Sequence, residues 1–339
     1  MSKALRIGLI GAGWVTQYHL QGWQKLAGNA SVVAITDPSA ENAAARANEF
    51  GIEQRFASAD EMLAQCDLDA VDIAAPRAVH AELVRLAADR GLAVLCQKPL
   101  APTLDEAEAL ARDVAGRIRL MVHENWRFRS YYRDAAAWIR EGRIGAITAA
   151  RLTLMTSGTL PDSEGKYPAI VRQPFMRTET RMLVAEVLIH HLDTLRMLLG
   201  PLDVTAATLT QTCADIAGED GAVIQMLSQG GAGVSLFASF AAHGAPASQP
   251  DHLEILGKAG AIRLDGTELQ LTGAHNEVRS YDLAATYQGS YDATIAHFVD
   301  ALQSGAPFET SPEDNLQTLR LVEDCYRLSG RKAMRTSSK

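Results

Sequence analysis

The sequence predicts a two-domain protein: an α/β domain on a doubly wound parallel sheet, then an α+β domain on a large, mostly antiparallel sheet. A chain of 339 residues is longer than one ordinary core accommodates. Strand-like and helix-like segments alternate up to about residue 124, which is typical of a parallel sheet with helices on both faces. From residue 146, strand-like segments follow one another through glycine-containing turns, which favours antiparallel pairing.

Short apolar runs give the strands of the first domain, residues 1–124. They are Leu5–Ile10, Ser31–Thr36, Gln54–Ala57, Leu68–Ala74, Leu92–Cys96 and Arg119–Val122. Segments rich in alanine, leucine and charge lie between them and are the predicted helices: Val15–Leu26, Ala40–Phe50, Ala59–Gln65, Val79–Arg90 and Thr103–Ala115. Ligands bind at the carboxyl ends of the strands in such a sheet, so the chemistry is expected there.

The second domain, residues 125–339, is predicted to bind substrate and to form oligomers. Its expected strands are Ala146–Met155, Val204–Thr212, Ala222–Leu227, Gly233–Phe240, His252–Leu256, Ala261–Leu264, Glu268–Leu271 and Val278–Tyr281. Helices are predicted over Arg181–Leu199, Tyr291–Gln303 and Pro312–Leu328, and the last one is a candidate to pack back on the first domain. An antiparallel sheet with one open face favours a homodimer or homotetramer.

The first strand ends in Gly11-Ala12-Gly13-Trp14-Val15, and the second ends in Asp37. Glycines at a strand-to-helix turn let backbone amides approach a pyrophosphate, and an acidic residue after the next strand accepts hydrogen bonds from ribose hydroxyls. This is the fingerprint of the Rossmann dinucleotide-binding fold, although the third glycine is missing. The carboxylate of Asp37 repels a 2′-phosphate, so NAD is favoured over NADP. A mere tight turn at the glycines and a turn residue before Pro38 are the alternative interpretations.

Composition excludes several classes of function. The net charge of −8 gives no basic footprint for nucleic acid or for an anionic membrane. No apolar run reaches a membrane-spanning length, and the first strand begins too early for a signal peptide. Four widely spaced cysteines lack the spacing of a zinc site or a redox pair, so they are interpreted as reduced core thiols of a cytoplasmic protein.

Two short segments follow strands of the first domain, Ala75-Pro76-Arg77-Ala78-Val79-His80 and Gln97-Lys98-Pro99. Pro99 favours an extended Lys98, whose amine would point off the sheet edge and stabilise charge on a substrate oxygen. The alternative is an ordinary solvated lysine. His80 is better explained by capping or packing of the next helix than by chemistry.

The segment Arg181–Leu199 carries Glu186, His190 and Asp193 on one helical face, at i, i+4 and i+7. Carboxylates one turn either side of a histidine can orient it and raise its basicity, as a general base requires. A solvated face and a metal site are the rival interpretations, and no clear third histidine or cysteine supports a metal. His191 lies on the apolar side and is interpreted as structural.

Two further segments are candidates for contact with substrate. His123-Glu124-Asn125-Trp126-Arg127-Phe128 leaves the last strand of the first domain, and Asn125 and Trp126 are the candidates for contact with substrate or nicotinamide. Packing between domains is the alternative, above all for Arg127 and Phe128. The loop 157–177, which ends in Arg177, either covers the substrate or is surface decoration.

Together these motifs resemble the glucose–fructose oxidoreductase/inositol dehydrogenase/MocA family over nearly the whole chain. The family pattern is a glycine turn, Pro-Asn-x-x-His, Glu-Lys-Pro and Asp-x-Gly-x-His-x-x-Asp, in that order. The resemblance implies that the chain binds NAD, with the contacting residues spread along the sequence from Gly11 to Gln97. It also implies that Lys98 and His190 share the proton transfer, with Glu186 where the family has Asp. The sites that it implies for the cofactor are Gly11, Gly13, Trp14, Val15, Asp37, Ala75, Pro76, His80, Gln97 and Lys98. Those implied for substrate are Lys98, Asn125, Trp126, Arg177, His190 and Asp193.

Three residues depart from that pattern: Arg77 replaces Asn, Gln97 replaces Glu and Glu186 replaces Asp. Lys98 and His190 are retained, so catalysis is expected to survive. Cys-Gln-Lys-Pro with His-Glu-Asn-Trp-Arg-Phe is similar to the D-apiose dehydrogenase branch, which implies oxidation of a branched pentose to its lactone. The expected function is therefore NAD-dependent oxidation of a hydroxyl on a sugar or polyol. An NAD-dependent glycosidase and a non-catalytic NAD sensor of the same fold are the alternatives.

Overall fold

The computed structural model describes residues 4–248 and 250–330, so both ends of the predicted domain ranges, 1–3 and 331–339, lie outside the described residues. The chain divides into two compact units. The first contains the residues up to Arg129 together with Thr286–Leu319, and the second contains Ser130–Ala285 and the residues from Arg320 onward. The first crossing lies close to the predicted boundary near residue 124, and the later return to the first unit includes the first part of the helix predicted over Pro312–Leu328.

The first unit is built on a six-stranded sheet in which every neighbouring pair is parallel. Its strands are β1 (Leu5–Ile10), β2 (Ala30–Thr36), β3 (Gln54–Phe56), β4 (Ala70–Ile73), β5 (Ala93–Gln97) and β6 (Leu120–His123). Their order is β3-β2-β1-β4-β5-β6, so the direction of winding reverses between β1 and β4. The predicted doubly wound sheet is confirmed. Crevices at such a reversal are where this architecture binds ligands.

Five helices connect these strands: α1 (Thr16–Lys25), α2 (Ala40–Phe50), α3 (Ala59–Gln65), α4 (His80–Ala88) and α5 (Leu104–Val114). Three of them begin at a hydroxyl side chain that accepts a hydrogen bond from a backbone N–H in the first turn. These capping residues are Ser39, Ser58 and Thr103. The sequence therefore specifies the starts of these helices through local contacts.

The chain returns to the first unit through α9 (Leu283–Ser304) and the first part of α10 (Pro312–Leu328). Ile295, Phe298 and Val299 of α9 are fully buried in one cluster with Ile7 and Trp23. Burial of side chains of this size contributes about 2 kcal/mol each, which anchors α9 to the sheet. The helix begins at Leu283, well before the predicted start at Tyr291, because Asp282 caps it and accepts from the N–H of Ala285 over 2.7 Å.

The second unit contains an eight-stranded sheet of order β14-β13-β12-β11-β7-β10-β9-β8. Its strands are β7 (Ile147–Met155), β8 (Leu202–Thr210), β9 (Gly221–Ser228), β10 (Gly233–Ser239), β11 (His252–Gly257), β12 (Gly260–Asp265), β13 (Glu268–Gly273) and β14 (Glu277–Ser280). Only the pair β7 and β10 is parallel among the pairings described. The prediction of a mostly antiparallel sheet is confirmed.

One face of this sheet is buried and the other carries exposed apolar side chains. In β9, Ile224 and Met226 are buried, whereas Val223 and Leu227 are more than 40% exposed. Phe237 of β10 lies opposite Val223 and is also exposed. The alternation of the sequence thus places one apolar set inside and a second, smaller set on the open face.

Helices α6 (Ser130–Arg140), α7 (Pro168–Arg172) and α8 (Ile189–Leu199) complete the second unit. The single α-helix predicted over Arg181–Leu199 is wrong at its start, because Leu183–Leu188 forms a π-helix that leads directly into α8. The loop 157–177 also contains structure, namely α7 and a 3-10 turn at Pro174–Arg177. None of the helices in the described part of the chain is both long enough and apolar enough to cross a membrane.

Candidate active site

The turn after β1 requires glycine at Gly11. Its φ is +109°, and a Cβ at this position would lie 2.4 Å from the carbonyl oxygen of Ala74, at the end of β4. Its N–H donates to the oxygen of Thr36, at the end of β2, over 2.8 Å. Gly11 therefore joins the ends of three neighbouring strands at the reversal point of the sheet.

Gly13 differs from Gly11, because a Cβ there would meet no atom within 4 Å. It is exposed, as is Trp14, while the following residue, Val15, is the N-cap of α1. In place of the missing third glycine, Thr16 turns its hydroxyl back to donate to the oxygen of Gly13 over 2.6 Å. The open space over Gly13, at the N-terminus of a ten-residue helix, fits a pyrophosphate.

Asp37 closes the same turn from the end of β2. Its Oδ2 accepts from the N–H of Ala12 over 2.7 Å, and its Oδ1 accepts from the N–H of Ser39 over 2.8 Å. The carboxylate is thus held in a fixed orientation beside the glycines, in the position expected for a ribose contact. The turn and Asp37 fit NAD. Asp37 also stabilises the turn at Pro38, which is the alternative role that the sequence left open.

His80 joins two loops of this edge. It is buried, with Nδ1 2.8 Å from the oxygen of Pro99 and Nε2 2.8 Å from the oxygen of Ala75. It therefore holds the loop that follows β4, which includes Pro76, against the loop that follows β5. This supports the packing interpretation of His80, and its direct contact with a cofactor stays a prediction.

Lys98 is half-buried and directly follows β5, at the same edge of the sheet as the glycine turn. The peptide bond between Lys98 and Pro99 is cis. The backbone N–H of Lys98 donates to Oε1 of Gln97 over 3.1 Å, and the side chain of Gln97 is buried. The sheet thus brings a lysine to the edge where the dinucleotide fingerprint lies.

Asn125 and Trp126 follow β6 at this edge. The amide of Asn125 is buried and donates to the hydroxyl of Ser290 over 2.7 Å, which fixes the segment against α9. Trp126 is half-buried, and the guanidinium of Arg129 lies 3.3 Å from its ring centroid. Arg127 pairs with Asp314 over 2.7 Å, and Phe128 belongs to the core cluster of the first unit, so both side chains pack within one unit rather than between domains.

Sequence reasoning missed an aromatic cluster in the first unit, formed by Tyr18, Tyr287 and Tyr291 between Trp14 and Trp126. Ring centroids of Trp14 and Tyr18 are 5.1 Å apart, those of Tyr18 and Tyr287 are 5.0 Å apart, and those of Tyr287 and Trp126 are 6.2 Å apart. Aromatic rings supply apolar faces on which a sugar or a nicotinamide can pack. The i, i+4 spacing of Tyr287 and Tyr291 was a usable signal, but nothing local linked it to the first domain.

Glu186 lies in the π-helix rather than in a regular α-helix, so the predicted i, i+4 relation to His190 does not hold as an α-helical spacing. π-Helical turns are rare and occur often at functional sites. This one is supported by Glu219, whose buried carboxylate accepts from the N–H of Val184 over 3.0 Å and from the hydroxyl of Tyr326. Burial and Glu219 hold the pKa of Tyr326 well above its ordinary value, so this phenol remains a donor.

His190 and Asp193 lie in α8 and are both buried. The oxygen of His190 accepts from the hydroxyl of Thr194 over 2.8 Å, and Asp193 lies 3.6 Å from Arg196. Glu186, His190 and Asp193 thus remain on one continuous helical segment. Arg177 is exposed, and its backbone oxygen accepts from the N–H of Ala217 over 2.9 Å. Within residues 4–248 and 250–330, no three His, Cys, Asp or Glu side chains form a group that could hold a metal.

His191 is structural, as the sequence analysis inferred. It is fully buried, with Nε2 2.8 Å from Oδ1 of Asp251 and Nδ1 3.2 Å from the oxygen of Val187. Oδ2 of Asp251 accepts from the hydroxyl of Tyr132 over 2.6 Å. This buried pair fixes α8, and with it the residue that precedes His191.

We expect Asp251→Ala to lower the free energy of unfolding by about 3–5 kcal/mol, because it leaves the buried ring of His191 without its carboxylate partner. Urea unfolding followed by tryptophan fluorescence measures the change. Tyr132→Phe removes only one hydrogen bond to the same carboxylate and should cost about 2 kcal/mol. Equal losses for the two variants would contradict this account of α8.

Comparison with known proteins places these features in one family. Residues 5–123 match a family model described as an oxidoreductase family with an NAD-binding Rossmann fold, and residues 137–334 match that family's C-terminal alpha/beta domain. A D-apiose dehydrogenase of Paraburkholderia graminis is 32% identical over 338 residues, covering 96% of this chain and 87% of that protein. A D-apiose dehydrogenase of Rhizobium rhizogenes is 31% identical, covering 95% of this chain and 94% of that protein.

A solved structure is also similar over almost the whole chain. It is an oxidoreductase from Agrobacterium radiobacter in complex with NAD⁺, L-tartaric acid and magnesium. Its TM-score is 0.90 at 29% sequence identity, and the match covers 97% of each chain.

The fold and the glycine turn, with these matches, define an oxidoreductase whose first unit is an NAD-binding domain. The chain belongs to the glucose–fructose oxidoreductase/inositol dehydrogenase/MocA family.

Proposed function

We propose that this chain oxidises a hydroxyl group of a sugar or polyol with NAD, and that D-apiose, converted to its lactone, is the substrate. The observation that carries the proposal is the placement of Lys98, directly after β5, on the sheet edge that also bears the glycine turn and Asp37. The similarity to two D-apiose dehydrogenases over nearly the full chain supports the choice of sugar.

In the proposed mechanism, His190 accepts the proton of the substrate hydroxyl. The amine of Lys98, in its charged form, donates to the same oxygen and stabilises the negative charge that develops there. NAD, when bound, accepts the hydride that leaves the substrate carbon. Glu186 orients His190 from the neighbouring π-helix, while Trp126, Asn125, Asp193 and Arg177 contact the other hydroxyl groups of the sugar.

In the cofactor site, the N–H groups of Gly13, Trp14 and Val15 hold the pyrophosphate, and Asp37 accepts from the ribose hydroxyls. Ala75, Pro76, Gln97 and Lys98 line the path from the ribose toward the nicotinamide, and His80 shapes that path from behind. The carboxylate of Asp37 disfavours the extra phosphate of NADP.

Two alanine substitutions separate cofactor binding from folding. Gly13→Ala should weaken NAD binding at least about tenfold without changing stability, because its new methyl group enters only the open space that the pyrophosphate needs. Gly11→Ala should destabilise the protein by about 2 kcal/mol or more, because the methyl group meets the oxygen of Ala74 and φ is positive. Titration with NAD and thermal unfolding measure the two effects. Loss of stability in Gly13→Ala with unchanged NAD affinity would contradict the assignment.

A substrate panel tests the proposed activity. D-apiose, common aldoses, polyols and sugar acids are incubated with NAD or NADP, and the absorbance of the reduced cofactor is followed. The highest kcat/KM is expected with D-apiose and NAD. Cleavage of a glycoside with no net NADH would favour the glycosidase alternative, and NAD binding without turnover of any substrate would favour the sensor.

We also propose that the open face of the second sheet, with Val223, Leu227 and Phe237, binds a second copy of this chain. Exposed apolar side chains on the face of a sheet favour burial against a complementary surface, and a two-fold interface uses the same patch on both copies. Light scattering after size-exclusion chromatography should give a dimer or a tetramer. Phe237→Glu should shift the mass toward the monomer, and an unchanged mass would exclude this face.

A further inference from the structure

The side-chain amide of Gln97 uses all of its hydrogen-bonding groups beneath Lys98. Its Oε1 accepts from the N–H of Lys98 over 3.1 Å. Its Nε2 lies 2.8 Å from Nε2 of His19 and 3.4 Å from Nδ1 of His123. An amide nitrogen only donates, so both ring nitrogens that face it must be acceptors. Gln97 therefore connects the backbone of Lys98 to two imidazoles.

The other nitrogen of His19 fixes which tautomer is present. Nδ1 lies 2.8 Å from Oδ2 of Asp72, and the indole N–H of Trp23 donates to the same oxygen over 2.8 Å. An ionised carboxylate only accepts, so Nδ1 of His19 carries the proton and Nε2 is left as the acceptor. All three side chains are buried. Only a donor at position 97 can satisfy a neutral His19.

Among the described contacts of His19, one is with an anion. Asp72 faces it from β4, His123 from β6 with ring centroids 4.2 Å apart, and Tyr291 from α9 at 5.4 Å. Cys96 of β5 is also close to Asp72, and burial together with that carboxylate raises the pKa of this thiol far above its ordinary value, so it stays neutral. A second carboxylate at position 97 would place anions at both nitrogens of the imidazole.

We propose that Gln97 is a positioning residue, which holds the backbone of Lys98 through a neutral, Nδ1-protonated His19 that Asp72 orients. The residue at this position in the family pattern is Glu, and the tautomer of His19 explains why this chain carries the amide instead. The hydrogen bonds that run from Asp72 through His19 and Gln97 to the backbone of Lys98 are called the relay. Its role in turnover rests on the proposed function, because the relay acts through Lys98. Its hydrogen-bonding pattern does not depend on turnover.

Gln97→Glu should make activity fall as the pH rises. At low pH the ring of His19 takes a second proton and bridges two carboxylates, so Lys98 stays in place. At higher pH the ring loses that proton. The new carboxylate then faces the lone pair on Nε2 of His19, moves away from it, and no longer holds the backbone of Lys98 in place. We expect kcat relative to the unmodified enzyme to drop at least about tenfold between about pH 6 and pH 9.

Two further variants decide whether this fall has the proposed cause. Trp23→Phe removes the other donor to Asp72 but leaves the relay to Lys98, so its kcat ratio should not vary with pH. The double variant His19→Gln with Gln97→Glu supplies an amide donor to the new carboxylate, so the fall with pH should disappear. A pH-independent loss in Gln97→Glu, or an unchanged fall in the double variant, would overturn the proposal.

A spectroscopic measurement tests the relay without any substrate. Nitrogen NMR of ¹⁵N-histidine-labelled protein reports which ring nitrogens carry protons, and His19→Gln identifies the signal of His19. We expect a neutral ring with its proton on Nδ1 at about pH 7, and a doubly protonated ring in Gln97→Glu. A proton on Nε2 in the unmodified protein would overturn the relay. If the tautomer is as proposed but no sugar or polyol is oxidised, the proposed function fails and the relay stands.

Discussion

Lys98→Met is expected to lower kcat by about 10³-fold while the protein still binds NAD. Methionine keeps the length and apolar stem of the side chain but removes the donor that stabilises negative charge on the substrate oxygen, a contribution of about 10²–10³ in other enzymes. Because this contact strengthens as the charge develops, kcat and kcat/KM should fall together. Stopped-flow turnover with the best substrate of the panel measures kcat, and quenching of protein fluorescence measures NAD binding.

Lys25→Met is the matched control for this substitution. Lys25 lies in the same unit, is 61% exposed and pairs with Asp292, so its loss removes only a surface ion pair. Its kcat should equal that of the unmodified enzyme. Near-normal turnover in Lys98→Met, or loss of NAD binding in place of turnover, would show that Lys98 does not act on the substrate.

His190→Asn is expected to lower kcat by about 10²–10⁴-fold, the usual contribution of a positioned general base. Its activity should also lose the rise with pH that a neutral imidazole imposes on the unmodified enzyme, because no ring is left to titrate. The pH profile of kcat at saturating NAD and substrate measures both effects. His252→Asn, a half-exposed histidine paired with Asp265 in the same unit, is the control and should leave the profile intact.

The double variant of Lys98 and His190 adds a stricter requirement. Residues that act on one reacting atom show strongly non-additive effects, so the double variant should be about as slow as the slower single variant. Multiplicative losses would indicate that the two side chains act in separate steps. Full activity in His190→Asn would place the general base elsewhere.

Much of the fold could be predicted because its signals are local. Apolar runs of strand length, hydroxyl caps such as Ser39 and Thr103, and glycine turns specify β1 to β6 and the helices between them. The return of α9 to the first unit could not be predicted, because it depends on contacts such as Phe298 with Trp23, which are far apart in sequence. The parallel pairing of β7 with β10 is likewise set by tertiary packing rather than by strand pattern.

The features of the candidate site likewise divide into those that the sequence could predict and those that it could not. Gly11, Asp37 and Lys98 stand at ends of strands, so their shared edge follows from the order of elements. The π-helix at Leu183–Leu188 did not follow from spacing, since its geometry depends on a buried Glu219 that is distant in sequence. The relay through His19 and Gln97 could not be predicted from the sequence for a similar reason. Each contact joins a different strand or helix, and only the folded sheet brings them together.

A crystal structure with NAD and an unreactive analogue of the preferred sugar tests the central claim most directly. It should place the amine of Lys98 and a ring nitrogen of His190 within about 3.2 Å of one hydroxyl oxygen, with the carbon of that hydroxyl group facing the nicotinamide. If the two side chains contact different hydroxyl groups, or the nicotinamide lies away from Lys98, the proposed division of the proton chemistry is wrong.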